Sequence, residues 1–364
     1  MQKSPPLTSQ TSSEGNFSHI LVIRLSAMGD VAMTVPVLRI FTATYPQIKV
    51  TVLTRKFFFP IFKNIPNVSL FAADVEQLHR GLFGLSRLAK ELRDIEINAV
   101  VDLHNVLRTN VLRSIFYFFG IPVKQIDKGR AEKKALIDPD NGIFEQLKTT
   151  HQRYADVFAE LGFPIDLQKP LLPPKKLQLT KNIWAVTGTG KEKWLGIAPF
   201  AQHDAKAYPL DLMLEVIETL QTNSEIKIFL FGGGKEETEI LNNIEQKFSK
   251  VKNVAGKLSF EEELALISNL DAMLSMDSGN AHLAAMYGTP VITLWGVTHP
   301  FAGFAAFNQP WENSIFPDLT LYDKIPTSIY GNKAPEGYED VMRSIKPETV
   351  VAKINEILGF TTSD

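Results

Sequence analysis

Residues 272–295 read AMLSMDSGNAHLAAMYGTPVITLW, and the order of apolar and polar residues in them indicates the fold class. The apolar run Ala272–Met276 is typical of a buried parallel strand, and a polar turn leads from it into a helix predicted over Ser278–Tyr287. A second apolar run, Val291–Trp295, follows after a short turn. A strand, a helix and another strand in this order predict a parallel sheet that is covered by helices.

The same alternation continues on both sides of this stretch. Further strands are predicted at His19–Leu25, Lys49–Thr54, Ala99–Leu103, Ile121–Ile126, Leu195–Pro199 and Ile226–Phe231. Further helices are predicted at Val31–Ala43, Leu82–Ile95, Val106–Phe119, His151–Leu161, Pro209–Gln221, Glu236–Phe248 and Ser259–Leu270. The sequence therefore predicts an α/β protein with two doubly wound domains that face each other across a cleft.

Composition and proline content place the predicted domain boundaries. Residues 1–18 are polar and rich in Ser, Thr and Pro, lack the pattern of a signal peptide, and are predicted to form a disordered tail. Residues 19–170 form the predicted N-terminal domain, 171–182 a proline-containing linker, and 183–345 the C-terminal domain. A closing helix within 346–358 is expected to pack back on the N-terminal domain.

Charge and cysteine content exclude several classes of function. The chain has 364 residues, and 38 Lys and Arg against 40 Asp and Glu give a net charge of −2, which argues against a nucleic-acid-binding protein. The absence of Cys excludes disulfides, a thiol nucleophile and thiolate metal sites, and favours a reducing cytoplasmic setting. Residues 1–180 carry 23 basic and 16 acidic residues, a net +7, whereas residues 181–364 carry 15 and 24, a net −9. The basic half suits an anionic acceptor or a membrane surface, although uneven surface decoration explains the asymmetry equally well.

Asp30 is the first candidate for catalysis. It follows the first predicted strand in the turn Ser26–Asp30, at the sheet edge where open α/β sheets bind ligands. A carboxylate there can act as a general base. The alternative is a helix N-cap, a position in which Asp is strongly favoured.

Two segments of the C-terminal half are candidates for binding an anion. Lys206 lies in the loop after the strand Leu195–Pro199 and can neutralise a phosphate, although a solvated loop lysine is the plainer interpretation. Asp277, Ser278 and Gly279 open a helix whose free N–H groups favour anions, and His282 follows one turn later. Capping by Asp277 and Ser278 with a core histidine at His282 is the alternative.

Together these segments resemble the ADP-heptose:lipopolysaccharide heptosyltransferases, glycosyltransferase family 9. The opening resembles the family's R-x-S-x-x-G-D pattern at Arg24–Asp30, and Asp277–Pro290 resembles its D-S/T-G-x-x-H-L-A-A-x-x-G-T-P signature. Phe231–Glu236 is similar to its Gly-Gly…Glu turn, and Met342–Pro347 is similar to its usual end. The resemblance covers residues 19 to 358.

The resemblance implies a GT-B fold and an inverting, metal-independent transfer of heptose from an ADP donor. It implies that Asp30 is the catalytic base and that Lys206 binds the diphosphate. The implied donor contacts, apart from Lys206 itself, are Ala201, Gln202, Glu236, Leu258, Asp277, Ser278, Gly279 and His282. No metal and no cofactor are expected, because the nucleotide sugar is a co-substrate and Asp138–Asp140, a D-x-D, is interpreted as a turn and not as a metal site.

The expected acceptor is an anionic glycolipid of the lipopolysaccharide core type, bound by the N-terminal domain. The candidate contacts are the basic residues Arg55, Lys56, Arg108, Arg113, Lys133, Lys134, His151 and Arg153. A cytoplasmic protein is expected, with peripheral contact to the inner membrane and no nucleic-acid partner. A GT-B-like nucleotide-sugar epimerase and a non-catalytic sugar-nucleotide-binding protein are the alternative functions.

Overall fold

A computed structural model describes residues 17–138, 140, 143–169 and 174–360. They form two parallel sheets, each covered by helices and each belonging to one half of the chain. The predicted α/β class is therefore confirmed. The predicted tail at 1–18 lies outside the described residues except for Phe17 and Ser18, and Phe17 packs on Phe163 with the ring centroids 6.3 Å apart.

The N-terminal sheet has five strands in the order β3-β2-β1-β4-β5. These are β1 (His19–Ile23), β2 (Lys49–Thr54), β3 (Val68–Ala72), β4 (Ala99–Asp102) and β5 (Val123–Gln125). In β1, Ile20 pairs with Val50 of β2 and Ala99 of β4. Because strand side chains alternate, Ile20 and Val22 enter the core on one face, while Leu21 and Ile23 enter a separate core on the other.

Helices cover both faces of this sheet. They are α1 (Met28–Ala32), α2 (Thr34–Thr44), α3 (Gly81–Asp94), α4 (Leu107–Phe118), α5 (Arg130–Leu136) and α6 (Thr150–Ala159). A 3₁₀ segment, Lys56–Phe62, follows β2. The predicted turn at Ser26–Asp30 is wrong in its second half, because Met28 already begins α1 and Ala27 is its N-cap.

The C-terminal sheet has six strands in the order β11-β10-β9-β6-β7-β8. They are β6 (Lys193–Ala198), β7 (Ile226–Leu230), β8 (Val251–Asn253), β9 (Ala272–Met276), β10 (Val291–Leu294) and β11 (Ser314–Ile315). The helices are α7 (Lys181–Thr187), α8 (Leu210–Leu220), α9 (Gly234–Lys247), α10 (Phe260–Ile267), α11 (Gly279–Ala285) and α12 (Pro347–Leu358). This strand order is that of a Rossmann domain, with its switch point between β6 and β9.

The closing helix α12 does not pack on the N-terminal domain, so that expectation is wrong. It lies against α8 and β9 of the C-terminal domain. Its apolar face, formed by Val350, Ile354 and Leu358, is buried in the core of that domain. The Tyr208 hydroxyl also donates to the carbonyl of Ile345, just before α12, at 2.9 Å. An amphipathic helix packs where its apolar stripe finds a partner, and α8 provides one.

The segment predicted as a linker is only partly described. Residues 171–173 lie outside the described residues, and Lys181 already begins α7. The Leu177 N–H donates to the Ser268 hydroxyl and the Leu177 carbonyl accepts from the Asn269 amide, both at 2.9 Å. These bonds attach the segment to the C-terminal domain. Among the described residues, no helix is both long enough and apolar enough to cross a membrane.

The domains touch through helices at the carboxyl edges of both sheets. The helices α1 and α11 pack against each other, with Gly29 and Gly279 at the contact. Beside them, the rings of Phe57 and Phe260 stack with centroids 4.7 Å apart. Lys63 forms an ion pair with Glu261 across the same interface. The two switch points of the sheets therefore face a common cleft.

Candidate active site

A cavity of about 1130 Å³ fills the cleft between the domains. Its walls combine the start of α1, the loops after β6 and β7, the start of α10 and the start of α11. The predicted residues at this cavity are Asp30, Ala201, Gln202, Lys206, Leu258, Asp277, Ser278, Gly279 and His282. The structure thus brings together residues that are up to 252 positions apart, as the separation of Asp30 and His282 shows.

Asp30 is the third residue of α1 and not its N-cap, but its carboxylate does help to cap this helix from the third position. Its carboxylate accepts from the Ala27 N–H at 3.4 Å and lies 2.5 Å from a guanidinium nitrogen of Arg24. Arg24 is buried and also donates to the Leu103 carbonyl at 2.6 Å. The Tyr154 hydroxyl donates to the Asp30 carbonyl at 3.3 Å. These contacts hold the carboxylate at the cavity wall in one position.

Lys206 is not a freely solvated loop lysine. It ends the 3₁₀ turn Asp204–Lys206 and is half-buried. Its Nζ donates to a carboxylate oxygen of Asp277 at 3.3 Å, and both residues line the cavity. The pair places one cation with its counter-ion at the carboxyl ends of β6 and β9. An anion that enters the cavity can therefore form a charge-assisted bond with the Lys206 ammonium without a large rearrangement.

His282 lies inside α11 and is buried at the same wall. Burial lowers its pKa, against the opposing effect of the Asp277 and Asp30 carboxylates. Within the described residues, its buried Nδ1 has no hydrogen-bond partner. Ser278 is the N-cap residue of α11 but makes no side-chain cap, because its hydroxyl is bonded to that of Ser275 at 2.8 Å. The imidazole is thus an uncharged hydrogen-bonding group that is available to a ligand.

The part of the cavity around Leu258 is apolar and contains one half-buried carboxyl group. Leu258, Phe260 and Phe57 form its wall together with Glu263. Burial raises the pKa of Glu263 to about 7. An apolar ring system can pack against this wall.

Glu236, which is predicted to contact the donor, is exposed and absent from the cavity wall, which is lined by its neighbour Glu237. Glu237 accepts from the Gly233 N–H at 2.8 Å. Consecutive residues of a helix point about 100° apart, so only one of the two can face the cleft.

A second cavity of about 250 Å³ adjoins Asp30 on the N-terminal side. Four basic side chains line it, namely those of Arg24, Lys128, Lys133 and Arg153. Burial lowers the pKa of Lys133 to about 8, and its Nζ lies 4.0 Å from the ring centroid of Phe304. His104 is also in this wall, and burial with the nearby charges of Arg24 and Lys128 lowers its pKa to about 3. The chamber is thus a small basic pocket.

Two of the predicted acceptor residues, Lys133 and Arg153, belong to this basic pocket. In the described part of the chain, the other predicted acceptor residues line neither cavity; they are Arg55, Lys56, Arg108, Arg113, Lys134 and His151. His151 is buried against Phe307, with ring centroids 5.0 Å apart, and burial lowers its pKa to about 3. Arg113 is paired with buried Asp102 at 3.3 Å.

Sequence reasoning missed residues that separate the two cavities. Phe304 and Tyr330 line both, and their ring centroids lie 5.8 Å apart. They belong to the irregular segment 301–338, which carries no recognisable motif. Gly331 packs closely on Lys206: a Cβ there would lie 2.7 Å from the Lys206 side chain. The segment therefore both covers the cleft and supports the cation.

The acidic pair of the D-x-D does not resemble a metal site. The Asp140 N–H donates to the Asp138 carboxylate at 3.1 Å, as in a turn, and the residue between them lies outside the described residues. In the described ranges, no three His, Asp or Glu side chains are grouped so that they could hold a metal ion.

Comparison with known proteins identifies the family. The family model described as Glycosyltransferase family 9 (heptosyltransferase) matches residues 85–315, more than half of the chain. The chain belongs to glycosyltransferase family 9. The resemblance stated from the motifs is thereby confirmed, and so is the assignment as a glycosyltransferase.

Curated relatives in family 9 align over almost the whole chain. Lipopolysaccharide core heptosyltransferase OpsX of Haemophilus influenzae is 25% identical over 93% of this chain and 96% of its own. Lipopolysaccharide heptosyltransferase 2 of Escherichia coli is 26% identical over 93% of this chain and 98% of its own.

Solved structures in family 9 share the fold. A family 9 glycosyl transferase from Veillonella parvula has a TM-score of 0.72 at 18% identity, with 94% of this chain and 97% of that chain covered. Escherichia coli heptosyltransferase WaaC with ADP has a TM-score of 0.64 at 18% identity, covering 93% and 99%. The two Rossmann-like domains and these neighbours confirm the GT-B fold.

Proposed function

We propose that this family 9 glycosyltransferase moves heptose from ADP-heptose to a lipopolysaccharide-core acceptor. The observation that carries the proposal is the position of Asp30, which lines both the large cleft cavity and the small basic pocket. A base at the junction of two chambers can reach a hydroxyl that enters from one side and a sugar that enters from the other. The names of the aligned relatives support lipopolysaccharide as the acceptor and heptose as the sugar.

The nucleotide occupies the cavity on the C-terminal side. The nucleobase lies at the apolar end beside Leu258 and Phe260, and the ribose lies near Glu237. The diphosphate takes its charge partner from Lys206, and His282 bonds a donor oxygen. Solved structures of a fold neighbour, WaaC, with ADP and with ADP-2-deoxy-2-fluoro heptose support this choice of nucleotide.

The transfer is a single displacement that inverts the anomeric centre. Asp30 takes the proton of the acceptor hydroxyl as its oxygen attacks the anomeric carbon, and the bond to the diphosphate breaks on the opposite face. General-base assistance of this kind is typically worth about 10²- to 10⁴-fold in rate. The leaving diphosphate gains negative charge, which Lys206 stabilises from the cavity wall. Neither a metal nor a cofactor is part of this proposal.

The basic pocket receives an anionic group of the acceptor. Lys128 and Lys133 supply positive charge within about 250 Å³, next to the base. Arg24 and Arg153 add guanidinium groups that are paired with Asp30 at 2.5 Å and with Glu132 at 2.6 Å. Carboxylate and phosphate groups form charge-assisted bonds with such side chains. The net +7 of residues 1–180 has the same sign, and it favours reversible contact with an anionic membrane on the cytoplasmic side.

The test is a transfer assay with purified protein, ADP-heptose and a heptose-free core acceptor, followed by mass spectrometry. We expect one added heptose, with turnover retained in EDTA. Transfer from a UDP-sugar alone would contradict the donor, and loss in EDTA with recovery in Mg²⁺ would contradict the metal-independent mechanism. Conversion of the nucleotide sugar without acceptor would favour the epimerase alternative.

A further inference from the structure

Large apolar side chains stand exposed where α3 and α4 begin. Phe83 is 94% exposed and Leu107 is 81% exposed, and Leu82 beside them is also exposed. The two helices pack side by side on one face of the N-terminal sheet. Single exposed apolar residues are common, but several at one edge of a small helical layer mark an interaction surface.

These residues lie at the edge of the molecule that holds the acceptor side of the site. Each helix follows a parallel strand, so α3 and α4 both begin at the carboxyl edge of the sheet. Arg24 and His104, which line the basic pocket, follow β1 and β4 at this same edge. The exposed apolar side chains and the basic pocket therefore share one end of the domain.

The residues that flank the exposed apolar side chains on the helices are basic. Arg108 follows Leu107 in α4, which has no acidic residue, and α3 has none before Glu91. The loop before α3 also carries exposed Asp74 and Glu76, and Glu76 is paired with Arg55 at 3.3 Å. Arg80 is the N-cap residue of α3 and is exposed. A surface that combines exposed apolar and basic side chains can bind an anionic lipid bilayer. The apolar side chains enter the boundary of the acyl chains, and the basic side chains contact the lipid phosphates.

We propose that Leu82, Phe83 and Leu107, with Arg80 and Arg108 around them, form an edge patch that docks on an anionic lipid bilayer. The inference rests on the proposed function in one respect, because a lipid-linked acceptor explains why the docking edge and the basic pocket coincide. Docking at this edge turns the pocket with Asp30 toward the lipid surface. The headgroup sugars of an anchored acceptor then reach the base without leaving the bilayer.

The chain offers a matched control at the opposite end of α4. Tyr117 and Phe118 are 79% and 82% exposed and lie at the amino edge of the sheet, away from the site. We therefore compare Phe83→Ser with Leu107→Ser, as a double variant, against Tyr117→Ser with Phe118→Ser. All four side chains are solvated, so neither double variant removes core packing.

The measurement is co-sedimentation with two kinds of vesicle, one of phosphatidylcholine alone and one that also contains 30 mol% phosphatidylglycerol. The second composition has roughly the surface charge of a cytoplasmic leaflet. We expect wild type to bind the anionic vesicles and to be released by salt. The Phe83→Ser, Leu107→Ser variant should bind about tenfold more weakly or worse, since each buried Phe or Leu side chain favours insertion. The Tyr117→Ser, Phe118→Ser variant should bind like wild type.

The inference would be overturned if wild type and the Phe83→Ser, Leu107→Ser double variant bound anionic vesicles equally well. It would also be overturned if only the control variant lost vesicle binding, or if wild type bound neutral vesicles as well as anionic ones. Concentration-dependent dimers in ultracentrifugation that only the Phe83→Ser, Leu107→Ser variant loses, without vesicle binding, would assign the patch to a protein partner and also overturn it. Calorimetry with ADP separates the two proposals. Vesicle binding without ADP binding leaves the docking intact and removes the proposed donor.

Discussion

Gly29 and Gly279 meet where the two domains touch, so closely that a Cβ on Gly29 would lie 3.3 Å from the Gly279 Cα. Gly29 precedes Asp30 in α1, and Gly279 follows the Asp277–Ser278 turn at the start of α11. The proposed base and the turn that is proposed to bind the donor therefore belong to helices in direct contact. Because neither glycine has a side chain, α1 and α11 can approach this closely, and their contact sets the distance between Asp30 and the start of α11.

Gly29→Ala should lower turnover while leaving the fold intact. The new Cβ would lie 2.9 Å from the Cδ2 atom of His282, so α1 and α11 must move apart. Overpacking of this kind costs about 1–3 kcal/mol. We expect a lower melting temperature, a reduced kcat and weaker ADP binding by calorimetry, because the clash falls on His282 and Gly279 of the proposed donor site. A variant with wild-type kcat and stability would show that the helix contact does not set the distance from the base to the donor.

Glu263→Gln should change the pH dependence of stability. Burial raises the pKa of Glu263 to about 7, whereas an unfolded Glu titrates near 4.3. Between these values the folded state binds more protons, so this group's contribution to the free energy of unfolding falls as pH rises and is lost above pH 7. The variant does not titrate, so its stability relative to wild type should be higher at pH 8 than at pH 5, by about 2 kcal/mol. Urea unfolding at both pH values measures this. Glu239→Gln, at an exposed position on α9, serves as the control. An equal change in the free energy of unfolding between pH 5 and pH 8 in wild type and Glu263→Gln would contradict the prediction.

The strongly patterned parts of the fold could be predicted from the sequence. The bounds of β2, β9 and α12 agree with the prediction, because each has a continuous apolar run or stripe with clear ends. The edge strand β3 was missed because it is only half-buried and lacks the continuous apolar run of the inner strands. The position of α12 was predicted wrongly because an apolar stripe specifies burial and not the partner.

The candidate site could be predicted where a residue lies in the loop or the first helical turn after a strand. Asp30, Lys206 and Asp277 lie after β1, β6 and β9, where topology brings loops together. Arg24 gave the same signal, since it follows β1 immediately, and was overlooked as a site residue. Tyr330 gave none, because only tertiary packing carries its irregular segment over the cleft.

Lys133→Met should weaken binding of the acceptor and leave binding of the donor unchanged. Lys133 is buried in the basic pocket and its pKa is lowered to about 8, so it is largely charged at pH 7. Loss of a charged contact should raise the acceptor KM about tenfold or more. The neighbouring Lys134 is exposed and outside the pocket, so Lys134→Met should have the wild-type KM. At pH 9 wild type should approach the Lys133→Met variant. Equal KM values for the two variants at pH 7 would argue against an anion at Lys133.

Lys206→Ala should weaken ADP binding and also lower kcat, because its charge meets the diphosphate before and during bond breaking. We expect about a tenfold loss of ADP affinity, the size of a lost charge-assisted bond. The substitution also leaves the Asp277 carboxylate without its partner at 3.3 Å, facing the same anion. Adding Asp277→Asn to Lys206→Ala should therefore restore part of the ADP affinity. Calorimetry that finds wild-type ADP affinity in Lys206→Ala would place the diphosphate elsewhere.

Asp30→Asn should separate catalysis from structure at the junction of the two cavities. The amide oxygen can still accept from the Ala27 N–H, and Arg24 keeps its bond to the Leu103 carbonyl. Because Arg24 is buried and the Asp30 side chain is partly exposed, loss of their ion pair should reduce stability by roughly 1–3 kcal/mol. The amide cannot take a proton from the acceptor, so kcat should fall by about 10²-fold or more. ADP affinity should remain near wild type, because the nucleotide is assigned to the other domain. A lower melting temperature with nearly wild-type turnover would instead make Asp30 a structural partner of Arg24, and another group in the cleft would have to accept the proton.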